Sequence, residues 1–313
     1  MKKLYEQFCV ENKIPIFLKP WWMDASAGPD NWDVIVIKDN KSILGVMPYF
    51  KENKFGFKFI KMPPLTQFNG PYLNFKEVKK SEKYSFEIKV LKEILRKIPK
   101  STKFSQCWHY SSKNWLPFYW QGYQQTTKYS YYLNYEKSIE KIWDNLKSNI
   151  KSDIKKAKNR FNLTIQKEPN ISDFIELNKL VFLRQDKKLP YKEELIRNIY
   201  SACLKNNSGK LFMAKDPEGR IHAGALIIWD EESAYYLLGG SDPELRNSGA
   251  TSFCLWEAIK FFKDKTKKFD FEGSMIQPVE KFVRAFGAKQ IEFYKVEKQS
   301  KFYGFFHSLK SLY

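Results

Sequence analysis

Two stretches of this chain carry the same pattern at the same spacing. Lys103-Phe104 opens a strand-like run, and Gly122 follows a short helical segment before the next strand. Lys268-Phe269 and Gly287 hold the corresponding places, and both separations are 18 residues (122 − 104 and 287 − 269). Each phenylalanine lies downstream of a meander of three strand-like runs: Val34–Lys38, Ile43–Lys51 and Lys54–Met62 in the first half, and Lys210–Lys215, Ile221–Trp229 and Ala234–Leu238 in the second. A unit this large, present twice, points to a duplicated domain rather than a solenoid, whose repeats are about 20–50 residues and stack in threes or more. The length of 313 residues suits two domains of about 150. The reading therefore places one domain at 1–135 and the other at 136–313, with hairpin turns at Asp39-Asn-Lys and Glu52-Asn53.

The copies are unequal. In the second, Gly239-Gly-Ser-Asp-Pro243 breaks the third strand and Leu245-Arg-Asn-Ser-Gly-Ala-Thr251 leads into a helix over Ser252–Lys263. A strand at Phe269–Gly273, a helix at Pro278–Phe286 and a strand at Gln290–Val296 follow. A glycine-bearing loop that opens a helix presents unpaired backbone N–H groups to an anion. Arg246 supplies a cation there, and Gly249 lets the backbone come close. The plain alternative is a helix cap formed by Asn247 or Ser248. The first copy has Pro63-Pro-Leu-Thr-Gln-Phe-Asn-Gly-Pro71 at this point and no such junction.

This element order resembles the second half of the GNAT acyltransferase fold, whose phosphate loop reads Gln/Arg-x-x-Gly-x-Gly/Ala. Arg246 and Gly249 match, while Thr251 departs from the last position. Phe118-Tyr-Trp-Gln-Gly-Tyr and Phe282-Val-Arg-Ala-Phe-Gly-Ala resemble the aromatic-x-x-x-Gly-Phe ending of GNAT domains. Two copies with the anion site kept only in the second resemble the Fem-like branch and bacterial BioF2-like proteins. The segments carrying this are Pro20-Trp-Trp-Met-Asp24, Phe182-Leu-Arg-Gln185 with Pro190-Tyr191, Asp270-Phe-Glu-Gly-Ser274 and Val279–Gly287. The resemblance implies an α/β (α+β) tandem GNAT fold of two mixed sheets flanked by helices. It implies a first domain on the acceptor side and a coenzyme A thioester held by the second, at Leu238, Gly239, Arg246, Asn247, Ser248, Gly249, Ala250 and Thr251. Acceptor contacts are expected from Trp22, Asp24, Arg184, Gln185, Tyr191 and Arg284. Where many GNAT enzymes carry a tyrosine acid this chain has Val283, leaving Tyr236 or Tyr294 to substitute.

Such chemistry requires removal of an amine proton and stabilisation of an oxyanion. Alternation along Phe269-Asp-Phe-Glu-Gly273 puts Asp270 and Glu272 on one strand face. Two adjacent carboxylates raise one another's pKa, which makes Glu272 the candidate base, with an anchoring role as its alternative. Glu280 and Arg284 read as an i,i+4 surface pair, and His222 as structural. Upstream, Ser138 caps a helix whose apolar stripe is Ile139, Trp143, Leu146, Ile150 and Ile154, with Lys147, Lys151, Lys155 and Lys158 on another face. Helices follow at Ile171–Lys188 and Lys192–Lys205.

Composition closes off other classes. Four scattered cysteines without a Cys-x-x-Cys pair, and three histidines, argue against a disulfide framework or a zinc site, so no metal is expected. No apolar run reaches the ~18 residues that span a bilayer, nor does the start read as a signal peptide. The expected location is the cytoplasm, with the inner membrane surface as an option. A net charge of +19 favours an anionic partner. The readings are an acyl-coenzyme A transferase acting on an amino group of a cell-envelope or surface-glycan precursor (a small-molecule or glycan-precursor acceptor), a Fem-like transferase using aminoacyl-tRNA for peptidoglycan bridge peptides, or a silent pair binding an anionic ligand; DNA is not expected. The basic, aromatic segment Lys301–Lys310 reads as a peripheral membrane contact or a docked helix.

Overall fold

The computed structural model describes residues 1–300, so the reading of Lys301–Lys310 lies outside the described residues. The chain divides into two compact units, Met1–Lys128 with the strand from Glu292 onward, and Tyr129–Ile291.

The first unit opens with helices α1 (Lys2–Glu11) and α2 (Pro20–Ala27). The sequence reading gave residues 17–24 no element, yet the punctuation was there: Pro20 starts α2 and Gly28, at φ 84°, ends it. Strands β1 (Trp32–Lys38), β2 (Ile43–Lys54) and β3 (Phe57–Lys61) form the antiparallel meander, and the short β4 (Tyr72–Leu73) pairs with β2. The second hairpin turns at Phe55-Gly56, not at Glu52-Asn53. Both turn residues have positive φ, 50° and 78°, which a glycine makes accessible and two-residue hairpins require. Helix α3 (Lys83–Lys97), β5 (Lys103–Cys107), α4 (Leu116–Trp120) and β6 (Gln124–Asn134) follow. The meander is covered on both faces. Ile35, Ile37, Met47 and Tyr49 cluster with Val90, Leu91 and Ile94 of α3, while Val34, Val36, Val46 and Phe50 cluster with Tyr5 and Phe8 of α1.

In the second unit the expected single helix from Ile139 is two, α5 (Ile139–Asn145) and α6 (Ser148–Asn159). Ser138 caps α5 as read, accepting from the Lys141 N–H at 3.4 Å. The break at Leu146-Lys147 lets the Lys147 N–H donate to the Ala285 carbonyl at 2.9 Å. Next come β7 (Thr164–Ile165), α7 (Ile171–Leu183), α8 (Glu193–Lys205), β8 (Gly209–Lys215), β9 (Ile221–Trp229), β10 (Ser233–Ser241), α9 (Ala250–Phe262), β11 (Lys268–Asp270), α10 (Gln277–Arg284) and β12 (Lys289–Gln299). Strands β8, β9 and β10 form an antiparallel meander, and β11 lies parallel to β10. Helices α5, α6, α9 and α10 bury one core with the sheet, in which Phe253, Phe262, Phe269 and Phe286 are closed from solvent.

Phe104 and Phe269 hold the same place. Each sits on a strand parallel to the third strand of its meander, β5 beside β3 and β11 beside β10. The two copies also exchange their last strands. Tyr132–Asn134 of β6, the end of the first copy, pair antiparallel with β11, and Lys295–Gln299 of β12 pair antiparallel with β5. The line between units therefore falls within β6 and β12.

Candidate functional site

The site is built where β10 and β11 part. Their ladder covers only Ser233–Tyr235 against Lys268–Asp270. Strand β10 runs on against β9 to Ser241, with a bulge between Tyr236 and Leu238. Bulges re-aim backbone groups beside reaction centres, and Leu238 and Gly239, two of the residues expected to hold the thioester, lie at its end.

Strand β11 stops at Asp270, so the expected alternation through Glu272 does not hold. Glu272 (φ 57°) and Gly273 (φ 58°) instead form a left-handed turn. A Cβ on Gly273 would lie 2.3 Å from the Tyr129 carbonyl, so only glycine fits there. The two acids still meet, through that turn. Asp270 is fully buried; its Oδ1 accepts from Ser130 Oγ at 2.6 Å and from the Glu272 N–H at 2.8 Å. Its Oδ2 is buried with no hydrogen-bond partner among the described residues. Burial pushes the Asp270 carboxyl up to about 6, against the pull of the Ser130 and Glu272 hydrogen bonds, and the nearby Asp230 charge pushes the same way. Burial first, and the Asp270 charge second, hold Glu272 well above the ordinary carboxylate range. A non-glycine residue held at positive φ stores roughly 1–3 kcal/mol, and here the strained residue is the candidate base.

Across the gap, Asn178 of α7 donates to the Gly239 carbonyl at 2.7 Å and the Tyr191 hydroxyl donates to Asn178 Oδ1 at 2.9 Å. Close packing demands both glycines of β10. A Cβ at Gly239 would sit 1.9 Å from the Tyr236 hydroxyl oxygen, and one at Gly240 would sit 2.8 Å from the Asn178 backbone nitrogen. Tyr236 thus lies at the bulge, with burial raising its phenol. Tyr294 packs against the core of the first unit.

At the loop, the N-cap of α9 is Gly249 itself, at φ 78° and with no side-chain cap bond, rather than Asn247 or Ser248. Its missing Cβ has a definite reason: that atom would lie 2.3 Å from the Asp153 carbonyl of α6. The glycine is needed by helix packing before any ligand is considered. Arg246 and Asn247 are exposed on the preceding turn, Ala250 is buried at the helix start and Thr251 is half-buried. Ser248 Oγ is buried without a hydrogen-bond partner among the described residues. A helix start without a side-chain cap, with a buried hydroxyl that has no partner among the described residues and an exposed cation, fits a bound phosphate.

The acceptor candidates separate. Trp22 is a fully buried core residue whose indole donates to Thr66 Oγ1 at 3.0 Å, and Asp24 accepts from the Trp32 indole at 2.7 Å. Arg184 is exposed at the end of α7, and Gln185 folds back onto the Val181 carbonyl at 3.1 Å. Arg284 forms the expected ion pair with Glu280, and Glu280 also accepts from the Tyr131 hydroxyl at 2.7 Å. Tyr191 bonds to Asn178, which in turn holds the Gly239 carbonyl of β10. His222 is buried against Asp216 at 3.0 Å, a structural placement. The reading missed Asn178, although a lone amide among Phe174, Ile175 and Leu177 on a buried helix face was a visible signal. Among the described residues no cluster of histidine, cysteine or acid side chains has the make-up of a metal site, and no helix is long and apolar enough to cross a membrane.

Residues 144–275 match the family described as Acetyltransferase (GNAT) domain. No curated protein matches significantly. Among solved structures, FemX aligns over 93% of this chain and 95% of its own at 14% identity, with a TM-score of 0.69. The C-terminal domain of a putative lysylphosphatidylglycerol synthetase from Agrobacterium fabrum aligns over 88% and 87% at 13% identity, with a TM-score of 0.53. A tandem GNAT protein from the clavulanic acid biosynthesis pathway aligns over 88% and 93% at 9% identity, with a TM-score of 0.50. The chain thus has the Fem-like tandem GNAT fold, and residues 144–275, within its second unit, match the GNAT acetyltransferase domain.

Proposed function

We propose that the protein moves an acyl group from a coenzyme A thioester to an amino group of a cell-envelope or surface-glycan precursor, in the cytoplasm at the inner membrane surface. The observation that carries this reading is the Asp270–Glu272 pair, with both carboxyls raised, at the point where β10 and β11 part. When bound, the thioester supplies the activated acyl group. Arg246, Ser248 and the first amides of α9 would hold its phosphates. The N–H groups of Leu238 or Gly239 polarise the acyl oxygen, a contribution worth about 10²–10³ in rate for one such donor. Glu272 takes the proton of the attacking amine, and Asp270, locked by Ser130, keeps the Glu272 carboxylate basic by its charge.

A second reading, an aminoacyl-tRNA donor, is favoured by the net charge of +19. One titration separates them. Acetyl-coenzyme A and aminoacyl-tRNA are each added to the protein in calorimetry, with Arg246→Ala as control. The proposal expects binding of the thioester that weakens at least tenfold in Arg246→Ala. Binding of the tRNA alone overturns it in favour of the second reading, and binding of both without turnover leaves a silent pair.

A further inference from the structure

The bond from Asn178 to the Gly239 carbonyl lies beside the bulge, not within the sheet ladder. Asn178 is 2% exposed and has a partner at each end of its amide: Nδ2 donates to Gly239 and Oδ1 accepts from the Tyr191 hydroxyl. A peptide group is planar and trans, so fixing the Gly239 C=O also fixes the direction of the Gly240 N–H on its opposite side. Tyr191 stands at the other end of this chain of bonds, in the connection between α7 and α8. There it walls a cavity of about 460 Å³ with Leu183, Lys188, Leu189 and Lys192. Burial raises the Tyr191 phenol to about 12, so its hydroxyl stays protonated and a donor across the neutral range.

We propose that Asn178 is a positioning residue: it sets the Gly239–Gly240 peptide just past the bulge, next to the Gly239 N–H assigned to the acyl oxygen, and Tyr191 ties that setting to the α7–α8 connection. The claim about turnover rests on the acyltransferase reading, whereas the claim about the peptide does not.

The sequence provides a direct probe. Gly239-Gly240 is the only pair of adjacent glycines in the chain. In protein labelled with [1-¹³C,¹⁵N]glycine, the single directly bonded ¹³C′–¹⁵N pair therefore reports the Gly239 carbonyl alone. Asn178→Asp keeps the size and the bond from Tyr191 and, read at a pH high enough to ionise its carboxyl, loses the donor to Gly239. The expected result is an upfield move of this carbonyl in Asn178→Asp, and a smaller move in the same direction in Tyr191→Phe, with both variants folded. In acetyl-coenzyme A turnover, Asn178→Asp should lower kcat at least tenfold with the donor KM unchanged. A Gly239 carbonyl that stays put in folded Asn178→Asp overturns the proposal. A moved carbonyl with an unchanged kcat restricts Asn178 to packing and overturns the positioning role. If wild-type protein shows no thioester turnover, the acyltransferase reading fails, while the carbonyl shift still decides the relay. Should Asn178→Asp not fold, Tyr191→Phe, which removes one hydroxyl, carries the same test.

Discussion

Asp270 shows what this site costs the fold. Its pKa rises from the ordinary 3.8 to about 6 because the carboxyl is buried. A raised acid favours the folded state below the unfolded pKa, and that advantage is lost as pH climbs through the folded value. A rise from 3.8 to about 6 corresponds to roughly 3 kcal/mol. Asp270→Asn has no such titration. We expect wild-type stability, measured by urea unfolding, to fall relative to Asp270→Asn between about pH 4 and pH 6. Parallel pH profiles for the two proteins would show that Asp270 does not titrate there. At this scale the sequence was partly legible. Both acids stood out, but strand alternation was the wrong reason for their meeting, since the left-handed turn at Glu272-Gly273 depends on contact with Tyr129, remote in sequence.

At the level of elements, the two meanders, the pairs of helices and the strands bearing Phe104 and Phe269 were readable because each carries its own period and punctuation. What was not readable depends on tertiary contact. The apolar stripe from Ile139 runs at helical spacing across a helix that is broken at Lys147, because the Ala285 carbonyl takes the Lys147 N–H. Gly249 carries a prediction of the same kind. Its φ of 78° and the 2.3 Å approach to Asp153 both forbid a side chain. Gly249→Ala should lose on the order of 1–3 kcal/mol from the left-handed backbone alone, and more from displacing α6. Chemical denaturation would show this as a lowered midpoint. An unchanged midpoint would mean that the loop tolerates a side chain and that the glycine serves a ligand instead. Substitution at Arg246, exposed on the turn, is therefore the cleaner probe of the loop.

Across the whole molecule, the duplication was legible and the strand exchange was not, because a strand's partner is chosen by space rather than by order in the chain. The exchange has a consequence for dissection. A fragment starting at residue 136 lacks Tyr132–Asn134, which pair with β11, and lacks Ser130, which holds Asp270. It would present β11 as an unpaired edge, a template for association. Such a fragment should aggregate on gel filtration where one starting at residue 124 does not; a monomeric, cooperatively folding fragment from 136 would contradict the pairing.

The account as a whole stands on Glu272 taking the proton from the acceptor amine. The measurement that bears on it most directly is the pH dependence of acyl transfer from acetyl-coenzyme A in wild type and in Glu272→Gln, with donor affinity measured alongside. A raised base is protonated and idle at low pH, so the wild-type rate should climb with pH through a range above that of an ordinary carboxylate and level off once Glu272 and the amine have both lost their protons. Glu272→Gln should retain donor binding, lose about 10²–10⁴ in rate and lose the inflection due to the acid. Wild-type turnover with the same inflection in Glu272→Gln would contradict the account, and the proton would then leave by another route.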